Sequence, residues 1–284
     1  MAIPEQQLKA WAGVGAQQGS ADTYNSVKTA LAAHNWPVTM GMPNVYLQGS
    51  YPNHTNIRGD SDVDIVVETR SVFYSNLTES DLRAAGMPTG SFTWFQFRDE
   101  VKKALSSYYG YNDVTQGDKC IKVNGGGNRL NADVVPCNEY RNYQNGYVGA
   151  TGITFWTQSH IQVVNYPKLH LDNGSAKNQS CLQNYKPNIR VFKNARNRAN
   201  NDFPSYFVEC LLHNVPTSYF GNSHSETVLG ALQYLNTVKN DDSPETFLCQ
   251  NGRQAIFGTA EHQIDILAGK AFITALSTLW DNWA

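Results

Sequence analysis

The feature that most restricts what this chain can fold into is a pair of aspartates on what reads as a strand. Asp62-Val-Asp-Ile-Val-Val67 alternates acidic and β-branched residues, and side chains two apart in a strand point to one face. Asp62 and Asp64 therefore project together while Val63 and Ile65 turn to the core. Two like charges that close repel, at a cost in stability unless a cation neutralises them, and hard oxygen donors select Mg²⁺ or Mn²⁺. Upstream, Gly49-Ser50 follows the apolar run Val45-Tyr-Leu47, with eleven residues between Ser50 and Asp62. Glycine permits close backbone approach, and Ser50 with neighbouring N–H groups is suited to the terminal phosphates of a nucleotide. A third acid, Asp133, sits in Ala132-Asp-Val-Val-Pro136, where a lone buried carboxylate is expensive without a partner. Each piece alone has an ordinary explanation: a solvated strand face, a turn, a turn cap. Their order, each on an expected strand, points to metal-assisted chemistry on a nucleotide.

Composition narrows the substrate. A chain of 284 residues with 41% hydrophobic content fills one large core or two modest ones. Only 16% of residues are charged and the formal net charge is −2, which argues against the extended basic surface that long nucleic acids require. Any nucleotide substrate is expected to be small. The five cysteines, Cys120, Cys137, Cys181, Cys210 and Cys249, are odd in number and never form Cys-x-x-Cys, so neither a disulfide framework nor a zinc site is indicated and a reducing cytoplasm is expected. No run approaches a membrane span, and no secretion signal is expected. Other nucleotide motifs fail: Gly269-Lys270 is followed by Ala271, and Gly125-Gly-Gly127 precedes a strand, as a hairpin turn does. His54, His160, His170 and His213 lack metal-ligand spacing and read as surface or satisfied core residues.

Strands are expected at Val45-Tyr-Leu47, Val63 to Val67 and Asn131 to Val135, flanking a helical insertion centred on Phe97 to Tyr109, with a further strand at Ile153-Thr-Phe-Trp156. Helices are expected before Pro37 and at Pro167 to Lys177, Pro187 to Ala199, Pro204 to Asn214, Glu226 to Val238 and Glu261 to Trp280. The pattern is α+β. It predicts a sheet lobe over residues 1–160 and a helical lobe over 161–284, with the N-terminal helix packing back so as to bridge both.

At this point the residues resemble a known family. Gly49-Ser-Tyr-Pro-Asn-His-Thr-Asn-Ile-Arg-Gly-Asp-Ser-Asp-Val-Asp-Ile-Val-Val67, Ala132 to Pro136, Asn165-Tyr-Pro-Lys168, Asn173-Gly-Ser-Ala-Lys-Asn178, Phe192-Lys193 and Pro204-Ser-Tyr-Phe-Val-Glu209 are similar to bacterial CD-NTases. These are relatives of cyclic GMP-AMP synthase and oligoadenylate synthase that make cyclic oligonucleotide signals in antiphage defence (CBASS). The likeness is greatest to clade E. It implies a polymerase-beta-like sheet lobe and a helical lobe with the active site in the cleft, where Asp62, Asp64 and Asp133 hold two Mg²⁺ ions. One ion would acidify an acceptor 3′- or 2′-hydroxyl and the other would steady the triphosphate and departing pyrophosphate.

The resemblance also assigns nucleotide contacts to Gln48, Gly49, Ser50, Asn165, Lys177, Lys193, Ser205 and Tyr206. Lys193 and Ser205 would touch the donor triphosphate, and Tyr206 would stack on the donor base. Lys186, Arg190 and Lys193 form a basic stripe at helical spacing, so Lys193 also reads as part of a solvated helix face and Tyr206 as a core aromatic. Asn165 is the expected base reader: in clade E an Asn before Tyr-Pro-Lys accompanies pyrimidine choice, and an amide offers the donor and acceptor that uracil O4 and N3–H need. Its ordinary alternative is to cap the helix opening at Pro167. The expected activity is synthesis of a cyclic dinucleotide containing uridine, cyclic UMP-AMP or cyclic di-UMP, from UTP and ATP by a monomer whose product is read by a separate effector. The alternative is transfer of a nucleotide to tRNA, protein or antibiotic with the same carboxylates.

Overall fold

The structure, a computed structural model, describes residues 2–15, 17–59, 62–87, 90–199, 202–240, 246–260 and 263–283. They divide into two compact units, one formed by residues 1–15, 52–60 and 168–284 and the other by 16–51 and 61–167.

The second unit is built on two long parallel strands, β2 (Asp62–Ser75) and β5 (Asn131–Gln144). Parallel neighbours need a long crossover. Here it contains α4 (Glu79–Ala84), α5 (Trp94–Tyr109) and the short antiparallel pair β3 (Val114–Gln116) and β4 (Ile121–Val123). With β1 (Asn44–Leu47), β6 (Tyr147–Trp156) and β7 (Gln162–Asn165) the described strands form one mixed sheet of order β1-β2-β5-β4-β3; β6 pairs β5, and β7 pairs β6. One face of β2, β5 and β4 presents Val63, Ile65, Val67, Ala132, Val134, Ile121 and Val123, all buried in the core that also takes in Phe97, Val101 and Leu105 of α5. α5 starts where it does because Thr93 and Gln96 form a reciprocal capping box. From α2 (Gln18–Ala32), Val27, Ala30 and Leu31 join the same layer.

The other unit is helical: α1 (Glu5–Trp11), α6 (Pro167–Ser180), α7 (Tyr185–Arg198), α8 (Ser205–His213), α9 (His224–Asn240) and α10 (Ile266–Asp281). Leu8, Ile189, Phe192, Phe207, Leu211, Leu235, Phe272 and Leu276 share its core. Glu5 ties α1 down by accepting from the N–H and hydroxyl of Ser225, at 2.7 and 2.6 Å.

The boundary thus differs from the expected break after residue 160: α1 lies with the helices, α2 with the sheet, and the 52–60 segment with the helices. Strands β3, β4 and β7 lie outside the expected set because three or four residues carry no readable period. Both long strands outrun expectation. The register shift between Thr69 and Phe73 breaks the alternation of β2, and Pro136 inside β5 reads as a terminator. The last helix opens at Ile266 behind an Asp265 cap, whereas Glu261 lies outside the described residues. No described helix is long and apolar enough to cross a membrane.

Candidate active site

Strand register assembles the acids. In the β2–β5 pairing Asp62 stands opposite Asn131 and Asp64 opposite Asp133. Since Val63, Ile65, Ala132 and Val134 are at most 1% exposed on the core side, the carboxylates share the opposite face, Asp62 exposed and the other two half-buried. Adjacent strands lie roughly 4.8 Å apart, which puts Asp64 and Asp133 side by side.

The Gly49-Ser50 turn meets this face from β1. The N–H of Gln48 donates to the Asp64 carbonyl at 2.9 Å, extending the β1–β2 ladder by one bond. Gly49 has φ +72°, in the left-handed region, and a Cβ there would collide with an Asp64 carboxylate oxygen. Only glycine lets the turn come so close. Ser50 opens the short helix α3 (Ser50–Asn53) and is half-buried.

On the far side, Cys120 hydrogen-bonds Asp133. Burial first, then the Asp133 charge and that bond, push its thiol up to about 12, so it stays protonated as a donor. No three His, Cys, Asp or Glu side chains among the described residues stand ready as a metal cage. The fit to a metal is therefore one of donor type, face and register: three hard carboxylates in one patch, one of them cradled against a glycine, suit Mg²⁺, which keeps several of its waters and takes few protein ligands.

Asn165 ends β7, half-buried. Its Oδ1 accepts the Tyr166 N–H at 2.8 Å, while its amide nitrogen has no protein acceptor among the described residues. Gly152 makes room for this corner, since a Cβ there would overlap the Asn165 carbonyl and the Tyr166 ring. The local bond goes to the neighbouring residue before α6 and engages only the oxygen of the amide.

In the helical unit the expected contacts behave differently from one another. Lys193 is fully buried; its Nζ donates to Glu209 Oε1 at 2.7 Å and to the Thr55 carbonyl at 3.0 Å. Glu209 also accepts from the Thr55 hydroxyl at 2.7 Å and pairs through Oε2 with His170 Nε2 at 2.9 Å. Burial alone would raise the Glu209 carboxyl, yet the Lys193 charge and the His170 bond outweigh it and hold Glu209 well below the usual carboxylate range. Lys193 is thus not on a solvated face. Lys177 spends its ammonium on the Val215 carbonyl, and burial pulls its pKa down. Ser205, at the start of α8, accepts from Arg196 at 2.8 Å. The Tyr206 ring stacks on His170 with centroids 5.0 Å apart and planes 26° from parallel.

Arg196, His170, Glu209 and Cys120 lie outside the residues expected from sequence. Arg196 continues the basic stripe one turn past Lys193, a signal that was present. For His170 and Glu209 there is none, because their pairing joins α6 to α8 across sequence.

Residues 172–281 match the family described as the cGAS/DncV-like nucleotidyltransferase C-terminal helical domain. The chain is 43% identical over 296 residues to a cyclic UMP-AMP synthase of Rhodothermus marinus, covering 100% of this chain and 99% of that one. It is 34% identical over 306 residues to a cyclic nucleotide synthase of Staphylococcus haemolyticus, with 100% of each covered. Its fold is similar to the structure of the Rhodothermus marinus CdnE cyclic UMP-AMP synthase with Apcpp and Upnpp, at a TM-score of 0.92 and 42% identity over 99% of this chain and 98% of that one. With that identity over its whole length, this chain belongs to the cGAS/DncV-like nucleotidyltransferases, the CD-NTases.

Proposed function

We propose that this protein is a cyclic dinucleotide synthase that joins UTP to ATP, or UTP to UTP, as an antiphage signal read by a separate effector. The observation that carries the reading is Asp64 directly opposite Asp133 on parallel strands, with Asp62 on the same face. Asp62, Asp64 and Asp133 would hold Mg²⁺, whose charge when bound favours the ionised acceptor hydroxyl and the leaving pyrophosphate. The acceptor hydroxyl oxygen forms its bond to the donor α-phosphorus as the bond from that phosphorus to the pyrophosphate oxygen breaks, and the hydroxyl proton passes to solvent. A second transfer of the same kind closes the ring. The chain's own part is positioning: on the sheet unit Gly49 and Ser50 seat the donor phosphates beside Asp64, while in the helical unit Tyr206, stacked on His170, is the ring that the family resemblance assigns to a base. Lys193 and Lys177 tie segments of the helical unit to one another.

Asn165 supports a uridine-containing product. With Oδ1 turned to the Tyr166 N–H, the amide nitrogen is a donor, which suits the O4 acceptor of uracil and rejects the amino group of cytosine. One such hydrogen bond is worth about 1 kcal/mol, or roughly fivefold to tenfold in base choice. The test is incubation of the purified protein with all four NTPs and Mg²⁺ or Mn²⁺, with products identified by mass spectrometry for wild type and Asn165→Ser. A cyclic uridine product whose share drops about fivefold in the variant is expected. An unchanged base ratio would remove Asn165 from the reading, and product only with added tRNA, protein or drug would replace the cyclase by an acceptor-modifying transferase.

A further inference from the structure

The acid row does not end at Asp133. In the β4–β5 pairing Lys122 stands opposite Asp133, as Asp133 stands opposite Asp64 on the next strand. Its neighbours Ile121 and Val123 are buried in the sheet core, so the exposed Lys122 side chain leaves on the carboxylate face. Asp64, Asp133 and Lys122 therefore form one line across three strands. The lysine stem runs past the hairpin glycine: a Cβ on Gly117 would sit 3.5 Å from Lys122 Cε, an ordinary contact. Among the described residues no carboxylate lies within 4.0 Å of its ammonium. A cation in line with two acids and within salt-bridge distance of neither is available to a ligand.

We infer that Lys122 binds the 5′-phosphates of the acceptor nucleotide, the one that supplies the attacking hydroxyl. The inference rests on the cyclase reading above. Direction across the sheet decides which nucleotide it serves. Gly49 and Ser50 follow β1, at one side of Asp64, and Lys122 lies on β4, beyond Asp133, at the other. Three strand spacings separate β1 from β4, roughly 14 Å. In-line displacement places the entering oxygen opposite the departing one. If the donor triphosphate and its pyrophosphate lie toward β1, the acceptor enters from the β4 side. The negative charge that an NTP acceptor brings there is its own triphosphate. A flexible ammonium is a suitable partner for such a group, acting as a point charge.

The test separates donor from acceptor. A 2′,3′-dideoxy-NTP serves only as donor, and UTP or UMP, then ATP or AMP, is offered as acceptor while the linear product is measured. Wild type is expected to prefer the triphosphate acceptor at least tenfold in kcat/KM. Lys122→Met should lose about tenfold with the triphosphate acceptor, through KM rather than kcat, and almost nothing with the monophosphate. Lys122→Arg should restore the preference. Thermal melting of both variants should match wild type, since the residue is exposed, and direct titration with a non-hydrolysable UTP analogue should show the weakened binding without turnover. Equal losses with both acceptors, or no loss with either, would overturn the role. An inactive wild type would instead bring down the cyclase reading, and this proposal with it.

Discussion

The two units treat ionised side chains in opposite ways. On the sheet, Asp62, Asp64 and Asp133 share one face in register, exposed or half-buried. In the helical unit, Glu209 is buried and enclosed by Lys193, His170 and Thr55, so that its charge is answered within the fold. The first arrangement costs stability, because like charges crowd together on one face. The second spends a lysine on architecture, and an unpaired member would be expensive. A basic residue on a helical stripe is therefore not by itself a solvated one; what its ammonium touches decides.

That contrast breaks most visibly at the acids. Asp62→Asn or Asp133→Asn should cut NTP turnover by three orders of magnitude or more, the equivalent of losing about 4 kcal/mol of transition-state stabilisation. Melting in the absence of divalent cations should stay level or rise as repulsion is relieved. A marked fall in melting temperature would show that the acids hold the sheet together, and the distinction between the units would fail.

Glu209 gives the reverse outcome. Glu209→Ala strands the Lys193 ammonium in the core and should cost about 3–5 kcal/mol in urea unfolding. Lys193→Met combined with Glu209→Leu should recover most of that, since an apolar pair replaces a buried ionic one at little cost. If the single variant unfolds no more easily than wild type, the pair is not structural.

A smaller effect is set by pH. Burial first, then the Lys177 and His170 charges, hold His213 at about 4. An unfolded histidine titrates near ~6.5, so between these values the unfolded chain takes up a proton that the folded one resists. The stability this group contributes is complete above about 6.5 and is lost as pH falls toward about 4. The loss should be on the order of 1–3 kcal/mol and should shrink in His213→Gln, read as urea midpoints between pH 7 and pH 4.5. Glu209, whose carboxyl is held low, contributes stability that is lost only as pH falls below the ordinary carboxylate range, so the two windows can be told apart. Identical pH profiles for wild type and His213→Gln would remove His213 from the account.

What could be read from sequence follows the range of the interaction. The strand period placed Asp62 and Asp64 on one face, because alternation is a property of six consecutive residues. Asp133 was identifiable as an acid in an apolar strand, but its position opposite Asp64 depends on parallel pairing, which no local pattern encodes. The spacing of Lys186, Arg190 and Lys193 is that of a helix, and they lie on α7; burial of Lys193 follows from Glu209 and Thr55, which belong to other segments. Lys122 shows the same limit, as it lies in a three-residue strand too short to suggest a face until its partner is known.

The parallel pairing of β2 and β5 has a consequence for how the enzyme comes into being. Its two acid-bearing strands are separated by α4, α5 and the β3–β4 hairpin, so the segment between them must close before Asp64 and Asp133 meet. Closing so long a loop is a slow, late event in folding, because its entropy is lost before the strand contacts reward it. A nascent or truncated chain that ends before Asn131 carries Asp62 and Asp64 without Asp133 opposite them. Cyclic nucleotide synthesis by way of all three acids is thereby restricted to molecules that have finished folding the sheet.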